Sequence, residues 1–117
     1  MHVHEVKNYI HQLYNLLIKR KNESTAIYDI TDCLFQVYQK VELVKNPEMM
    51  ISALSNYIYV VSLNGRVQYS KEEANIISKI AQSGNAAGLN VKYRSDYTDK
   101  SQFYSFIERI PYREQKR

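Results

Sequence analysis

Few residues of this 117-residue chain are arranged for bond-making chemistry. His2, His4 and His11 lie near the N-terminus, and no cysteine or carboxylate cluster completes the four ligands of a zinc site. The three glycines are separated from one another, so no glycine-rich loop is available to hold a phosphate. We therefore predict that the protein is not an enzyme and that it carries no metal and no cofactor.

Two other candidates for chemistry have structural interpretations. Glu72 and Glu73 are adjacent carboxylates, but they follow Ser70 in the pattern of a capping box, in which the Ser70 hydroxyl and the Glu73 carboxylate each satisfy an amide at the start of a helix. Cys33 is the only cysteine, so it forms no internal disulfide, which agrees with a reducing compartment. It borders an apolar helix face with no basic neighbour in sequence to activate it, and we interpret it as a small buried hydrophobic residue.

The elements that would position these residues are helices. Apolar residues recur every three or four positions over four segments, near residues 4–20, 25–45, 47–63 and 70–86, and no segment alternates as a strand does. Connections of a few residues make neighbouring helices antiparallel. The sequence thus predicts an all-α fold, an antiparallel up-and-down four-helix bundle with a C-terminal tail.

Several residues mark the helix ends. Ser24 or Thr25 is the expected N-cap of the second helix, and Asn46 with Pro47 starts the third. The cluster Lys19–Lys21 is predicted in the last turn of the first helix, where cations complement the helix dipole. Gly65 is predicted to end the third helix in the left-handed conformation.

The predicted core follows the same periodicity. It consists of Val6, Ile10, Leu13, Leu17, Ile27, Ile30, Leu34, Val37, Val41, Met50, Leu54, Ile58, Val61, Ile77, Ile80 and Ala81. The fourth helix also carries small residues that predict close packing against a neighbour along a seam. The members of that seam are Ala74, Ile77, Ala81, Gly84 and either Ala87 or Gly88.

The third helix has no charged residue between Met49 and Leu63. One interpretation is that it is the most buried helix of the bundle, with neighbours on two sides. The other is a surface helix that offers Tyr57 and Tyr59 to a partner. No apolar run reaches the roughly 18–20 residues of a membrane span, and the start of the chain lacks the pattern of a signal peptide. The predicted location is the cytoplasm.

Charge is concentrated at the C-terminal end. Of the net charge of +4, residues 1–88 contribute nine Lys/Arg against eight Asp/Glu, and residues 89–117 contribute seven against four. A basic tail is attracted to anionic surfaces, although a solvated terminus that aids solubility has the same composition. A helix that binds nucleic acid usually carries several basic residues on one face, whereas the fourth helix has only Lys71 and Lys79. We predict no nucleic acid as a partner.

The tail also carries a specific motif. Residues 87–90 (AGLN) followed by 93–103 (YRSDYTDKSQF) resemble the C-terminal signature of immunity proteins for pediocin-like (class IIa) bacteriocins, the enterocin A immunity group. Residues 36–42 and 54–59 are similar to the corresponding helical segments of that family. Some members end near the position of Phe103, so the resemblance assigns no role to the residues that follow it.

The resemblance implies a function. Family members are four-helix bundles made in the cytoplasm of lactic acid bacteria and their relatives, and they protect the cell against its own pore-forming peptide. Protection is expected from recognition of the membrane components of the mannose phosphotransferase system with bound bacteriocin, on the cytoplasmic side, with a fraction of the protein in peripheral contact with the membrane. The alternative, without the resemblance, is a helical adaptor or regulator that binds nucleic acid or another protein.

In the family the C-terminal half determines which bacteriocin is resisted. We expect a single domain in which residues 1–88 form the bundle and residues 89–117 form a tail that determines specificity. The candidate recognition residues are Tyr93, Arg94, Asp96, Tyr97, Asp99, Lys100, Phe103, Tyr104, Phe106 and Arg109. Residues 103–110 have apolar positions at helical spacing and end at Pro111. They form either a short fifth helix folded onto the bundle or an amphipathic arm that docks on a partner.

Overall fold

The computed structural model of the protein describes residues 2–84 and Phe103. These residues form four α-helices, α1 (Val3–Ile18), α2 (Thr25–Lys40), α3 (Pro47–Gly65) and α4 (Lys71–Ser83). No strand occurs in this part of the chain, which confirms the predicted all-α fold. None of the described helices is both long enough and apolar enough to cross a membrane. The predicted fifth helix lies outside the described residues.

The helices pack as a ring in which α1 and α3 each lie between α2 and α4. Lys7 of α1 pairs with Glu42, just past the end of α2, and Tyr14 of α1 pairs with Phe35 of α2. A later residue of α1 thus contacts an earlier residue of the second segment. The two helices are therefore antiparallel. Arg20, just past the end of α1, contacts Glu73 near the start of α4, which makes this pair antiparallel as well. The four-helix bundle predicted from the short connections is confirmed.

The predicted N-caps are also confirmed. The Ser24 hydroxyl accepts a hydrogen bond from the Ile27 amide at 3.2 Å, and the Asn46 side chain accepts one from the Met49 amide at 3.1 Å. The capping box of α4 is complete: the Glu73 amide donates to Ser70 Oγ at 3.1 Å, and the Ser70 amide donates to Glu73 Oε1 at 2.9 Å. Each cap satisfies amides that have no partner inside the helix.

Three predicted helix ends were wrong. Helix α1 ends at Ile18, so the basic cluster 19–21 lies in the connection and not in the last helical turn. Helix α2 ends at Lys40, because the chain must turn before α3 begins at Pro47, and the apolar periodicity continues into that turn without a helix. In the third case the left-handed residue after α3 is Arg66, with φ 54°, and not the glycine before it.

Gly65 has another physical reason to be glycine. A Cβ atom at this position would lie 2.6 Å from the Cβ of Ala26, which is closer than two carbon atoms can approach. The end of α3 therefore contacts the start of α2 directly. The residue is selected by this close approach between helices and not by backbone conformation.

The core prediction was correct for α1 and α2 and partly wrong for α3 and α4. Met50, Val61, Ile77 and Ala81 are only partly buried. Other core residues were not predicted, among them Ile51, Tyr57, Ile76 and Phe103. In α4 the buried positions are Glu73, Ile76 and Ile80, followed by the buried C-cap Gly84, while Ala74 is exposed.

The predicted small-residue seam was therefore wrong by about one position, although one of its members packs as expected. A Cβ atom on Gly84 would lie 2.7 Å from the backbone nitrogen of Ser52, so α4 does approach α3 closely at this end. Positions 87 and 88 of the seam lie beyond the described residues. Helix α3 has neighbours on two sides, as the first interpretation predicts; it buries Tyr57 (1% exposed), while Tyr59 is 66% exposed.

Candidate functional site

The C-terminal motif meets the helical bundle at Phe103. Its side chain is 2% exposed and belongs to the hydrophobic core. The ring packs edge-on against Tyr57 of α3, with the ring centres 5.4 Å apart and the planes at 84°. The backbone carbonyl of Phe103 accepts a hydrogen bond of 2.9 Å from Lys40 Nζ. We call these three residues, Lys40, Tyr57 and Phe103, the Phe103 seat.

The local sequence explains why the seat forms here. Lys40 is the last residue of α2, where a cation is favoured by the helix dipole and where its side chain can reach past the helix end. Tyr57 is buried next to Leu54 and Ile58 on α3, so its ring is held by the core. The seat therefore joins α2 and α3 with one residue from the tail.

The interactions of the seat are of strong types. An edge-to-face aromatic pair contributes about 0.5–1.5 kcal/mol beyond the area it buries. A hydrogen bond from a charged donor contributes about 1.5–3 kcal/mol. Because one interaction involves the ring and the other involves the main chain, the seat fixes both the side chain and the backbone of Phe103.

Phe103 is the one predicted recognition residue that the structure describes. Its side chain is buried and packs inside the protein. The other predicted recognition residues lie outside the described part of the chain. They are Tyr93, Arg94, Asp96, Tyr97, Asp99, Lys100, Tyr104, Phe106 and Arg109.

A polar junction stabilises the opposite end of the bundle. The Arg20 guanidinium donates to Glu73 Oε1 at 2.7 Å, to Glu23 Oε1 at 3.1 Å and to the Gln68 carbonyl at 2.9 Å. Glu73 is only 5% exposed, so its charge requires this partner. The sequence analysis assigned Glu73 to the cap alone. The contact with Arg20 joins residues 53 apart in the chain, and no local pattern indicates it.

Tyr69 lies beside this junction, in the connection between α3 and α4. Its hydroxyl and that of Ser62 form a short hydrogen bond. Burial raises the pKa of the Tyr69 phenol above its ordinary value of 10.0, since the ionised form would lose its hydration; the nearby Glu73 charge acts in the same direction. The hydrogen bond between Tyr69 and Ser62 and the nearby Arg20 charge oppose this rise in pKa only in part. Tyr69 is thus a neutral structural residue at ordinary pH.

The outer surface of α1 and α2 carries a row of paired side chains that the sequence analysis did not identify. Lys7 Nζ lies 3.2 Å from Glu42 and 4.4 Å from the centre of the Tyr38 ring. The rings of His11 and Tyr38 are 5.8 Å apart, and those of Tyr14 and Phe35 are 6.2 Å apart. These contacts hold the two helices together on their solvent side, and the antiparallel register is what brings them into line.

The cysteine and histidine side chains that could have taken part in chemistry can be placed in the structure. Cys33 is fully buried in the core, as predicted. His4 lies 3.9 Å from Glu42 with its side chain almost fully exposed. Within residues 2–84 and Phe103, no group of three or more His, Cys, Asp or Glu side chains is arranged to hold a metal ion.

A four-helix bundle is the architecture implied by the resemblance to immunity proteins. The sequence profile of the bacteriocin immunity protein family matches residues 4–85, and the chain belongs to this family. The matched region is the bundle itself. The family is one of immunity proteins and not a known family of enzymes.

Two relatives are similar along most of the chain. The probable leucocin-A immunity protein of Leuconostoc gelidum is 44% identical over 105 residues, which cover 90% of this chain and 92% of that protein. The probable mesentericin-Y105 immunity protein of Leuconostoc mesenteroides is 36% identical over 107 residues, which cover 92% and 94%. Both alignments are longer than the bundle, so they extend into the tail. No solved structure matches the chain significantly.

Proposed function

We propose that this protein protects the bacterium that makes it against a pediocin-like pore-forming bacteriocin. The observation that supports this most directly is the 44% identity to a probable leucocin-A immunity protein over nine-tenths of the chain. Leucocin A and mesentericin Y105 are therefore the peptides to test first. The protein is not an enzyme in this proposal, because protection requires binding alone.

The proposed partner is the set of membrane components of the mannose phosphotransferase system with bound bacteriocin, recognised from the cytoplasmic side. The resemblance of the tail motif to that family supports this choice. A fraction of the protein is then expected at the inner face of the membrane. The excess of basic residues in 89–117 favours such a location, because the cytoplasmic leaflet is anionic.

The proposed contact residues lie on both sides of the Phe103 seat in sequence. Tyrosine and arginine are favoured at such surfaces because they bury a large area at a low cost in conformational entropy. The proposed set is Tyr93, Arg94, Asp96, Tyr97, Asp99, Lys100, Tyr104, Phe106 and Arg109.

Expression of the chain in a sensitive strain tests the proposal. Cells carrying it should survive leucocin A, mesentericin Y105 or another member of a panel of pediocin-like peptides at concentrations that kill cells with an empty vector. Arg94→Ala or Lys100→Ala should lower this protection without changing the melting temperature. Lys19→Ala, at an exposed position of the bundle, is the matched control and should leave protection unchanged. A folded, well-expressed chain that protects against no peptide of the panel would overturn the proposal.

A further inference from the structure

Phe103 has a role different from that of its neighbours in the recognition segment. A contact residue must reach the surface of its partner, and a side chain that is 2% exposed cannot do so. We propose that the Phe103 seat is a latch that fixes the C-terminal recognition segment on the bundle, and that Lys40 and Tyr57 are positioning residues for recognition of the bacteriocin-bound receptor. This inference rests on the proposed function.

The geometry of the latch restricts the chain and not only one side chain. Lys40 Nζ binds the main-chain carbonyl of Phe103 at 2.9 Å, while Tyr57 holds the ring. An extended chain spans at most about 3.6 Å per residue, so a fixed Phe103 limits how far the proposed contact residues nearest to it in sequence can reach from the seat.

The latch also changes how the segment is attached. Gly84 lies against the backbone of Ile51 and Ser52 in α3, so the segment that follows it is tied to the bundle at its start. Phe103 is a second point, later in the chain, at which the protein contacts the bundle, through Lys40 and Tyr57. Releasing Phe103 removes this second point. Fixing a chain at a second point removes conformational freedom before a partner is met, and such pre-organisation raises affinity without any new contact.

Substitutions of the proposed contact residues and of Lys40 should both lower protection, but for different physical reasons. Loss of a contact residue removes an interaction with the partner and leaves the tail attached. Loss of Lys40 leaves every proposed contact residue in the chain but removes the hydrogen bond that holds the Phe103 backbone on the bundle. Lys40 lies at the end of α2, about 60 residues before Phe103, so sequence proximity does not indicate this role.

A tryptophan reporter tests the latch directly, because the chain contains no tryptophan. Phe103→Trp places a single tryptophan in the seat, which can be excited selectively over the eleven tyrosines, and its emission maximum and acrylamide quenching report burial. We expect blue-shifted, weakly quenched emission in this variant and in its combination with Lys45→Met, a matched control at an exposed lysine five residues after Lys40. Adding Lys40→Met should shift the emission to the red and raise the undocked population about tenfold or more. Adding Lys40→Arg should restore the buried signal.

A second measurement keeps a phenylalanine ring at position 103, in case tryptophan does not fit the seat. The protein contains three phenylalanines, so incorporation of 4-fluorophenylalanine gives three ¹⁹F resonances, which Phe35→Leu and Phe106→Leu assign. Lys40→Met should move the Phe103 resonance to the position it has in the urea-unfolded chain. Lys45→Met should not move it. A Phe103 resonance that is already at the unfolded position in the native protein would overturn the latch.

The functional test uses the protection assay with the same substitutions. Lys40→Met should lower protection about tenfold or more while its melting temperature stays close to that of Lys45→Met, and Lys40→Arg should retain protection. Equal protection by Lys40→Met, with Phe103 shown to be released, would overturn the positioning role. If the native chain protects against no peptide, the proposed function fails and the positioning role with it, whereas the fluorescence result still decides whether Phe103 is docked.

Discussion

The contact between Arg20 and Glu73 leads to the sharpest stability prediction. Glu73 Oε1 accepts hydrogen bonds from the Arg20 guanidinium at 2.7 Å and from the Ser70 amide at 2.9 Å, and the residue is 5% exposed. The substitution Glu73→Gln keeps the size and shape of the side chain and removes its charge. It therefore tests the charge and not the packing.

The magnitude follows from what remains after the substitution. Changing a charge-assisted hydrogen bond into a neutral one costs about 1–2 kcal/mol, and weakening of the cap adds about 0.5 kcal/mol. The larger cost of about 3–5 kcal/mol for a stranded buried charge does not apply. The Arg20 side chain is 23% exposed and keeps Glu23 as a partner. We expect a loss of about 2 kcal/mol, which for a domain of this size lowers the melting temperature by about 8 °C.

Thermal unfolding followed by far-UV circular dichroism at pH 7 measures this change. Glu72→Gln is the matched control, because Glu72 is an exposed carboxylate in the same first turn of α4 and loses only its interaction with the helix dipole, about 0.3–1 kcal/mol. In a double-mutant cycle, Arg20→Met should cost much less in the Glu73→Gln background than in the native one. Equal melting temperatures for the two glutamine variants would refute the reasoning.

Two further predictions concern the connections near α3. Gly65→Ala should lower the free energy of unfolding in urea by about 1–2 kcal/mol, because its Cβ would lie 2.6 Å from that of Ala26. In an Ala26→Gly background the same substitution should be neutral or stabilising. Additive effects of the two substitutions would contradict the contact. Tyr69 has a folded-state pKa above the ordinary value of 10.0, so the unfolded chain releases the proton first and stability falls as the pH rises above about 10. Tyr69→Phe should therefore show a shallower loss of melting temperature as the pH rises through and above about 10, and curves parallel to those of the native protein would contradict this.

The features that the sequence predicted correctly are those determined by local interactions. The capping box at Ser70 and the cap at Asn46 join residues three positions apart, so their pattern is visible in the chain itself. The buried faces of α1 and α2 were predicted because each helix has one apolar face and one polar face. In both cases the information lies within a few turns.

The features that it missed depend on distant parts of the chain. Helix α3 has no charged residue after Glu48, so its periodicity did not show that Ile51 rather than Met50 faces the core. The rotation of α4 is fixed where Glu73 meets Arg20, and the small residues on the helix do not determine it. The tail motif indicated the family but not the role of Phe103, because burial against Tyr57 is a property of the folded bundle.

The ring arrangement of the helices has a consequence for how the protein folds. Three of the four main helix pairs join helices that are neighbours along the chain, whereas the pairing of α1 with α4 brings together distant residues, such as Arg20 and Glu73, 53 positions apart. Domains dominated by contacts between neighbouring helices typically fold within microseconds to milliseconds. During synthesis α1 emerges first and must wait for α4, so the bundle closes only when most of the chain has left the ribosome. Once α4 has emerged, we expect the last helix pair to close too quickly for folding to delay the appearance of active protein.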